Sequence, residues 1–104
     1  MLTQKLIIEQ IIQTKPEIES LGIRVLGLFG SYAEGMATES SDIDILIETT
    51  PQFVQQTDPL HAFSVLREVK DRYQRMFQTK VDIADKNALS AIGKEHILGN
   101  IIYV

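Results

Sequence analysis

Apolar residues recur at helical spacing from the start of the chain: Leu2, Leu6, Ile7, Ile11 and Ile12 fall on one face of a helix. Thr3 stands in front of them as a candidate N-cap. Pro16 interrupts the pattern and biases Lys15 away from helix. The spacing therefore predicts two helical pieces. The second opens at Pro16, runs through Glu17-Ile18-Glu19-Ser20-Leu21 and stops at Gly22. Next comes an apolar run from Arg24 to Phe29, which predicts a first strand. Gly27 inside it marks a place where another backbone comes close. Ser31 to about Ala37 predicts a short helix with Ser31 as its cap. Thr38-Glu39-Ser40-Ser41 is a polar loop, and Asp42 to Glu48 predicts a second strand. The connection is short, so antiparallel or mixed pairing is favoured over a parallel crossover.

Thr49 to Pro59 holds two prolines and several polar residues and predicts a mobile loop, a lid or a partner surface. Phe53 and Val54 within it either dock on the core or form an exposed contact. Pro59 opens the longest helix, to about Phe77. Leu60, Phe63, Leu66, Val69, Tyr73, Met76 and Phe77 form a stripe at helical intervals and are expected in the core. Arg67, Lys70, Arg72 and Arg75, mixed with Glu68 and Asp71, read as a solvated face. Lys80-Val81-Asp82-Ile83-Ala84 predicts a third strand. Asn87 to Ile92 reads as a short helix capped by Asn87 and broken by Gly93. Ile97, Leu98, Ile101 and Ile102 continue at helical spacing to the apolar end Tyr103-Val104, which must dock on the core or on a partner. His61 and His96 are lone histidines without ligand spacing. The class is α/β (α+β): a small mixed sheet with flanking helices. No repeat, linker or low-complexity tract divides it, so residues 1–104 are expected to form a single domain.

Composition narrows the classes. The chain has 104 residues and is 44% hydrophobic, which argues against disorder. It has no cysteine, so there is neither a disulfide framework nor a thiolate metal site. No stretch has the layout of a signal peptide, and none approaches the roughly 20 apolar residues of a membrane span. A cytoplasmic location without membrane contact is expected. Net charge is −4 and the pI is near 5.0. Backbone binding of nucleic acid needs a basic footprint, so direct nucleic-acid binding is not expected.

The chemistry gathers at one corner. Val25-Leu26-Gly27-Leu28-Phe29 runs into Gly30-Ser31-Tyr32-Ala33-Glu34-Gly35, and Asp42-Ile43-Asp44 opens the next strand. Residues two apart in a strand share a face, so Asp42 and Asp44 project side by side, opposite Ile43, Ile45 and Ile47. Two such carboxylates repel unless protonated, hydrogen-bonded or bridged by a cation. Hard cations such as Mg²⁺ take oxygen ligands and leave positions for substrate phosphates. Gly30 lets a ligand approach the backbone. Ser31 and the N–H groups of a helix start favour phosphate. Asp82 offers a third carboxylate if its strand lies beside the one starting at Asp42, which would complete a two-metal arrangement. Asp85 is the alternative, although it follows the apolar alternation where Asp82 sits within it.

Gly30-Ser31-x-Ala33-x-Gly35 followed by Ser41-Asp42-Ile43-Asp44-Ile45-Leu46-Ile47 resembles the signature of the DNA polymerase β-like nucleotidyltransferase superfamily. The short length points to its minimal nucleotidyltransferase (MNT) members. The resemblance implies the polymerase β-like palm, Mg²⁺ as cofactor, and transfer of a nucleoside monophosphate from ATP to a hydroxyl. It implies Gly30 and Ser31 at the triphosphate, Asp42 and Asp44 as metal ligands, and Asp82 as third ligand and base. It further implies a HEPN-domain toxin as partner in a hetero-oligomer, with the MNT chain as antitoxin adenylylating a toxin tyrosine. One residue departs from the pattern. Glu34 stands where an Arg is usual; an acid suits the first helical turn and does not help hold a triphosphate.

Two functions follow. The first is a metal-dependent adenylyltransferase acting on a protein hydroxyl. The second, which Glu34 motivates, is a non-catalytic antitoxin that neutralises its toxin by binding. A small-molecule nucleotidyltransferase fits less well, because the chain has no further domain to complete an acceptor site.

Overall fold

The computed structural model describes residues 2–104. Helix α1 (Gln4–Glu19) leads into strand β1 (Ile23–Phe29) and the one-turn helix α2 (Gly30–Glu34). Strand β2 (Ile43–Thr49), helices α3 (Pro51–Gln56) and α4 (Pro59–Phe77), and strand β3 (Val81–Asp85) follow. Helix α5 (Ala91–Leu98) and strand β4 (Ile102–Tyr103) complete the chain. The sheet order is β3-β2-β1-β4. Strand β1 is antiparallel to β2 and β4, and β2 is parallel to β3. This is the expected mixed sheet with flanking helices.

One face of the sheet builds the main core. Ile43, Ile45 and Ile47 of β2 lie with Val25 and Leu28 of β1, under Ile7, Ile11 and Ile18 of α1 and Val69, Tyr73 and Phe77 of α4. Tyr73 and Phe77 stack with ring centroids 6.2 Å apart. Each such side chain contributes on the order of 1.5–3 kcal/mol by leaving water. On the other face Leu46 is also fully buried, and Ile101 lies over Gly27.

Several expectations change. Helix α1 is continuous through Pro16 rather than two pieces. Ile7, Ile11 and Ile18 are all buried; at 100° per residue they point the same way, so an unbroken helix seats all three. The N-cap is Thr3, as expected, accepting from Leu6 N at 3.2 Å. Residues 49–59 are not a loop. Thr50 caps α3 by accepting from Phe53 N at 3.1 Å, Pro51 occupies its first turn, and Phe53 is buried while Val54 is exposed. The apolar stripe of α4 is core only in its second half. Leu60 and Phe63 are 81% and 66% exposed, because the first half of the helix turns Ala62, Val65 and Leu66 toward the core instead.

The C-terminal third departs furthest from its sequence pattern. No helix starts at Asn87; a 3-10 turn covers Lys86–Ala88, and α5 starts at Ala91 with Ser90 as its cap, passing through Gly93. The chain then becomes a strand. Gly27 pairs with Tyr103, and a Cβ at Gly27 would collide with Ile102 O and lie 2.8 Å from Ile101 Cγ1. The close backbone approach expected at Gly27 is therefore to β4.

Candidate active site

The corner forms where three strand ends meet. Phe29, the last residue of β1, pairs with Asp44 of β2. Asp44 in turn sits in register with Asp82 of β3. In-register neighbours put their side chains on the same face, so the two carboxylates are adjacent. Asp42 stands one residue before β2 and Lys80 one residue before β3. Ile43 N donates to Lys80 O at 3.0 Å, which ties the two strand entrances together. Lys80 Nζ lies 3.5 Å from Asp42 Oδ2.

Gly30 makes the corner possible. Its φ is +73°, and a Cβ there would collide with Asp44 Oδ2. Any side chain at this position would push Asp44 aside and strain the backbone as well. Ser31 lies in α2, but it is not the cap. Phe29 holds the cap position with no side-chain bond, and α2 ends at Gly35 in the left-handed region. The reason is geometric: the chain already turns at Gly30, one residue earlier than a Ser31 cap requires.

Asp44 feels the charge of both other carboxylates. The Asp44 carboxyl is pushed from its ordinary 3.8 up to about 6. Burial is the largest cause, followed by the charges of Asp82 and Asp42, with Lys80 opposing. Asp85 lies outside this cluster. It is in register with Ile47 on the core face, accepts from Thr49 Oγ1 at 3.3 Å and from Asn87 N at 3.0 Å. Of the two alternatives for a third carboxylate, only Asp82 borders Asp44.

Among the described residues no three acidic or histidine groups converge as a ready-made metal cage. Mg²⁺ does not require one. It keeps several waters and binds through one or two carboxylates together with substrate phosphates. Asp44 and Asp82, adjacent and electrostatically coupled, with Asp42 beside them, fit a cation delivered with a triphosphate.

Two features were missed in the sequence. The sequence pattern marks Lys80 only as the start of a strand. Its position two residues before Asp82 was the available signal. The second is a cleft of 230 Å³ beside the corner, lined by Phe29, Gly30 and Glu34 on one side and His96, Ile97 and Asn100 on the other. No spacing in the sequence brings α2 and α5 together. Among the described residues no helix is long and apolar enough to cross a membrane.

Comparison with known proteins agrees with this geometry. Residues 7–104 match the family described as polymerase beta, nucleotidyltransferase. Protein adenylyltransferase MntA of Thermococcus cleftensis is 30% identical over 86 residues, covering 83% of this chain and 79% of the relative. A solved minimal nucleotidyltransferase superposes with a TM-score of 0.77 at 19% identity, covering 99% of this chain and 97% of the other. An MNT antitoxin complex with the tri-AMPylated HEPN toxin of Shewanella oneidensis gives a TM-score of 0.63 at 18% identity, covering 97% and 71%. These two likenesses show the fold alone. The family generally uses a divalent metal and ATP. The strand ends, the glycine turn and the family match converge on one statement: the chain belongs to the polymerase β nucleotidyltransferase family.

Proposed function

We propose that residues 1–104 act as a single minimal nucleotidyltransferase domain that transfers AMP from ATP to a protein hydroxyl. The observation that carries this reading is the adjacency of Asp44 and Asp82, with Asp42 beside them and Gly30 packed on Asp44. The acceptor we infer is a tyrosine of a HEPN-domain toxin in the cytoplasm, with this chain as the antitoxin. A relative named protein adenylyltransferase and the shared fold of an MNT antitoxin support it.

Asp42, Asp44 and Asp82 would hold Mg²⁺. When bound, Mg²⁺ supplies positive charge that orients the triphosphate and offsets charge developing on it. Gly30 N–H and the Ser31 hydroxyl hold phosphate oxygens. Asp82 takes the proton from the acceptor hydroxyl. The acceptor oxygen forms a bond to Pα, the Pα–O–Pβ bond breaks, and pyrophosphate leaves with the electron pair. The sheet fixes the carboxylates in register, so most of the contribution is positioning and electrostatics.

Glu34 in the cleft favours a second reading, a non-catalytic antitoxin that acts by binding. One experiment separates the two. ATP labelled at the α-phosphate is incubated with this chain and a HEPN-domain toxin. The adenylyltransferase reading expects label on the partner from the wild type and none from the Asp42→Asn/Asp44→Asn double variant. A double variant that still protects cells, with no labelling by either protein, would favour the binding reading.

A further inference from the structure

We propose that Lys80 is a catalytic residue of this site: it guards Asp42 until a divalent cation arrives, then turns its ammonium to the triphosphate. The inference rests on the nucleotidyltransferase reading above and adds a residue to it.

The ion pairs among the described residues place one cation on the corner carboxylates. Arg24 and Lys86 pair with Glu48, and Arg72 pairs with Glu17. Lys80 alone of these cations pairs with a corner carboxylate, Asp42. It cannot drift from the site, because its carbonyl accepts from Ile43 N beside Asp42. Its side chain is 63% exposed and that of Asp42 is 36% exposed.

An exposed pair of this kind is held only weakly. A divalent cation taking Asp42 therefore displaces the ammonium at little cost. The freed ammonium remains at the mouth of the site on a flexible stem with three donors. Lysine binds phosphate as a compact point charge. Its charge also acts on Asp44, the carboxylate against which Gly30 packs. As the Pα–O–Pβ bond breaks, the electron pair passes to the β-phosphate oxygen. The ammonium donates a hydrogen bond to that oxygen and keeps its own proton. Charge fixed where charge develops lowers the barrier.

The test uses Mn²⁺ alone and an ATP analogue with a non-cleavable α,β bridge. Binding is measured by calorimetry on wild type, Lys80→Met and Lys80→Arg, each checked for folding by circular dichroism. Lys80→Met is expected to bind Mn²⁺ alone about two- to fivefold tighter, since the competing cation is gone. With saturating Mn²⁺ it is expected to bind the analogue about tenfold more weakly, the size of one lost charge-assisted contact. Lys80→Arg is expected to stay near wild type in both. A folded Lys80→Met that binds the analogue like wild type, or Mn²⁺ no tighter, overturns the proposal. A wild type that binds neither ligand instead overturns the nucleotidyltransferase reading itself.

Discussion

Burial and two neighbouring carboxylates oppose the charge of Asp44, and its carboxyl titrates at about 6 rather than 3.8. The sign of the consequence is fixed by linkage. Below pH 4 the group is neutral in both folded and unfolded chains and costs nothing. Between pH 4 and 6 the unfolded chain loses the proton first, so stability falls as pH rises. Above pH 6 the full cost is present. Asp44→Asn is therefore expected to raise the melting temperature at pH 7, with the gain fading toward pH 4. Melting curves across that range check it, and an Asp44→Asn protein less stable than wild type at pH 7 would contradict the account. Asp42, Asp44 and Gly30 were legible in the sequence because they lie in one short stretch whose strand alternation fixes their direction. Asp82 was legible only as a conditional, since strand order is not written in spacing. The pairing of Lys80 with Asp42 and the cleft that Glu34 and His96 both line were not legible. Both exist only after distant segments dock.

Elements followed their local signals where tertiary contacts agreed with them. Helix α4 begins at Pro59 and ends at Phe77 as its pattern indicated. Helix α1 shows the opposite case. Pro16 has no N–H to donate to Ile12 O, and its ring crowds that carbonyl, at a cost near 3 kcal/mol. The helix persists because burial of Ile18 on the same face as Ile7 and Ile11 outweighs the local penalty. Pro16→Ala is accordingly expected to stabilise the fold by roughly 1–3 kcal/mol in urea unfolding. A destabilised Pro16→Ala would mean that the proline sets the path of the chain into Ser20. Strand β4 was read as helix because Ile97, Leu98, Ile101 and Ile102 keep helical spacing. Pairing across Gly27 overrides that spacing once the chain passes Gly99. Apolar periodicity marks what can be buried, and Leu60 and Phe63 show that it does not say what is.

At the scale of the whole molecule, the fold holds charges that would otherwise separate. Parallel pairing of β2 and β3 aligns Asp44 with Asp82, antiparallel pairing of β1 and β2 brings the Gly30 turn onto Asp44, and the core beneath fixes both registers. On the proposed reading, a divalent cation with a triphosphate would relieve this repulsion. Thermal unfolding with and without Mg²⁺-ATP, on wild type and Asp44→Asn, tests this most directly. A ligand at one hundred times its dissociation constant stabilises the folded state by about 2.7 kcal/mol. For a chain of this size that is a shift on the order of 10 °C. The account predicts such a shift in the wild type and its loss in Asp44→Asn. Equal shifts in the two proteins, or none in either at millimolar Mg²⁺-ATP, would contradict it.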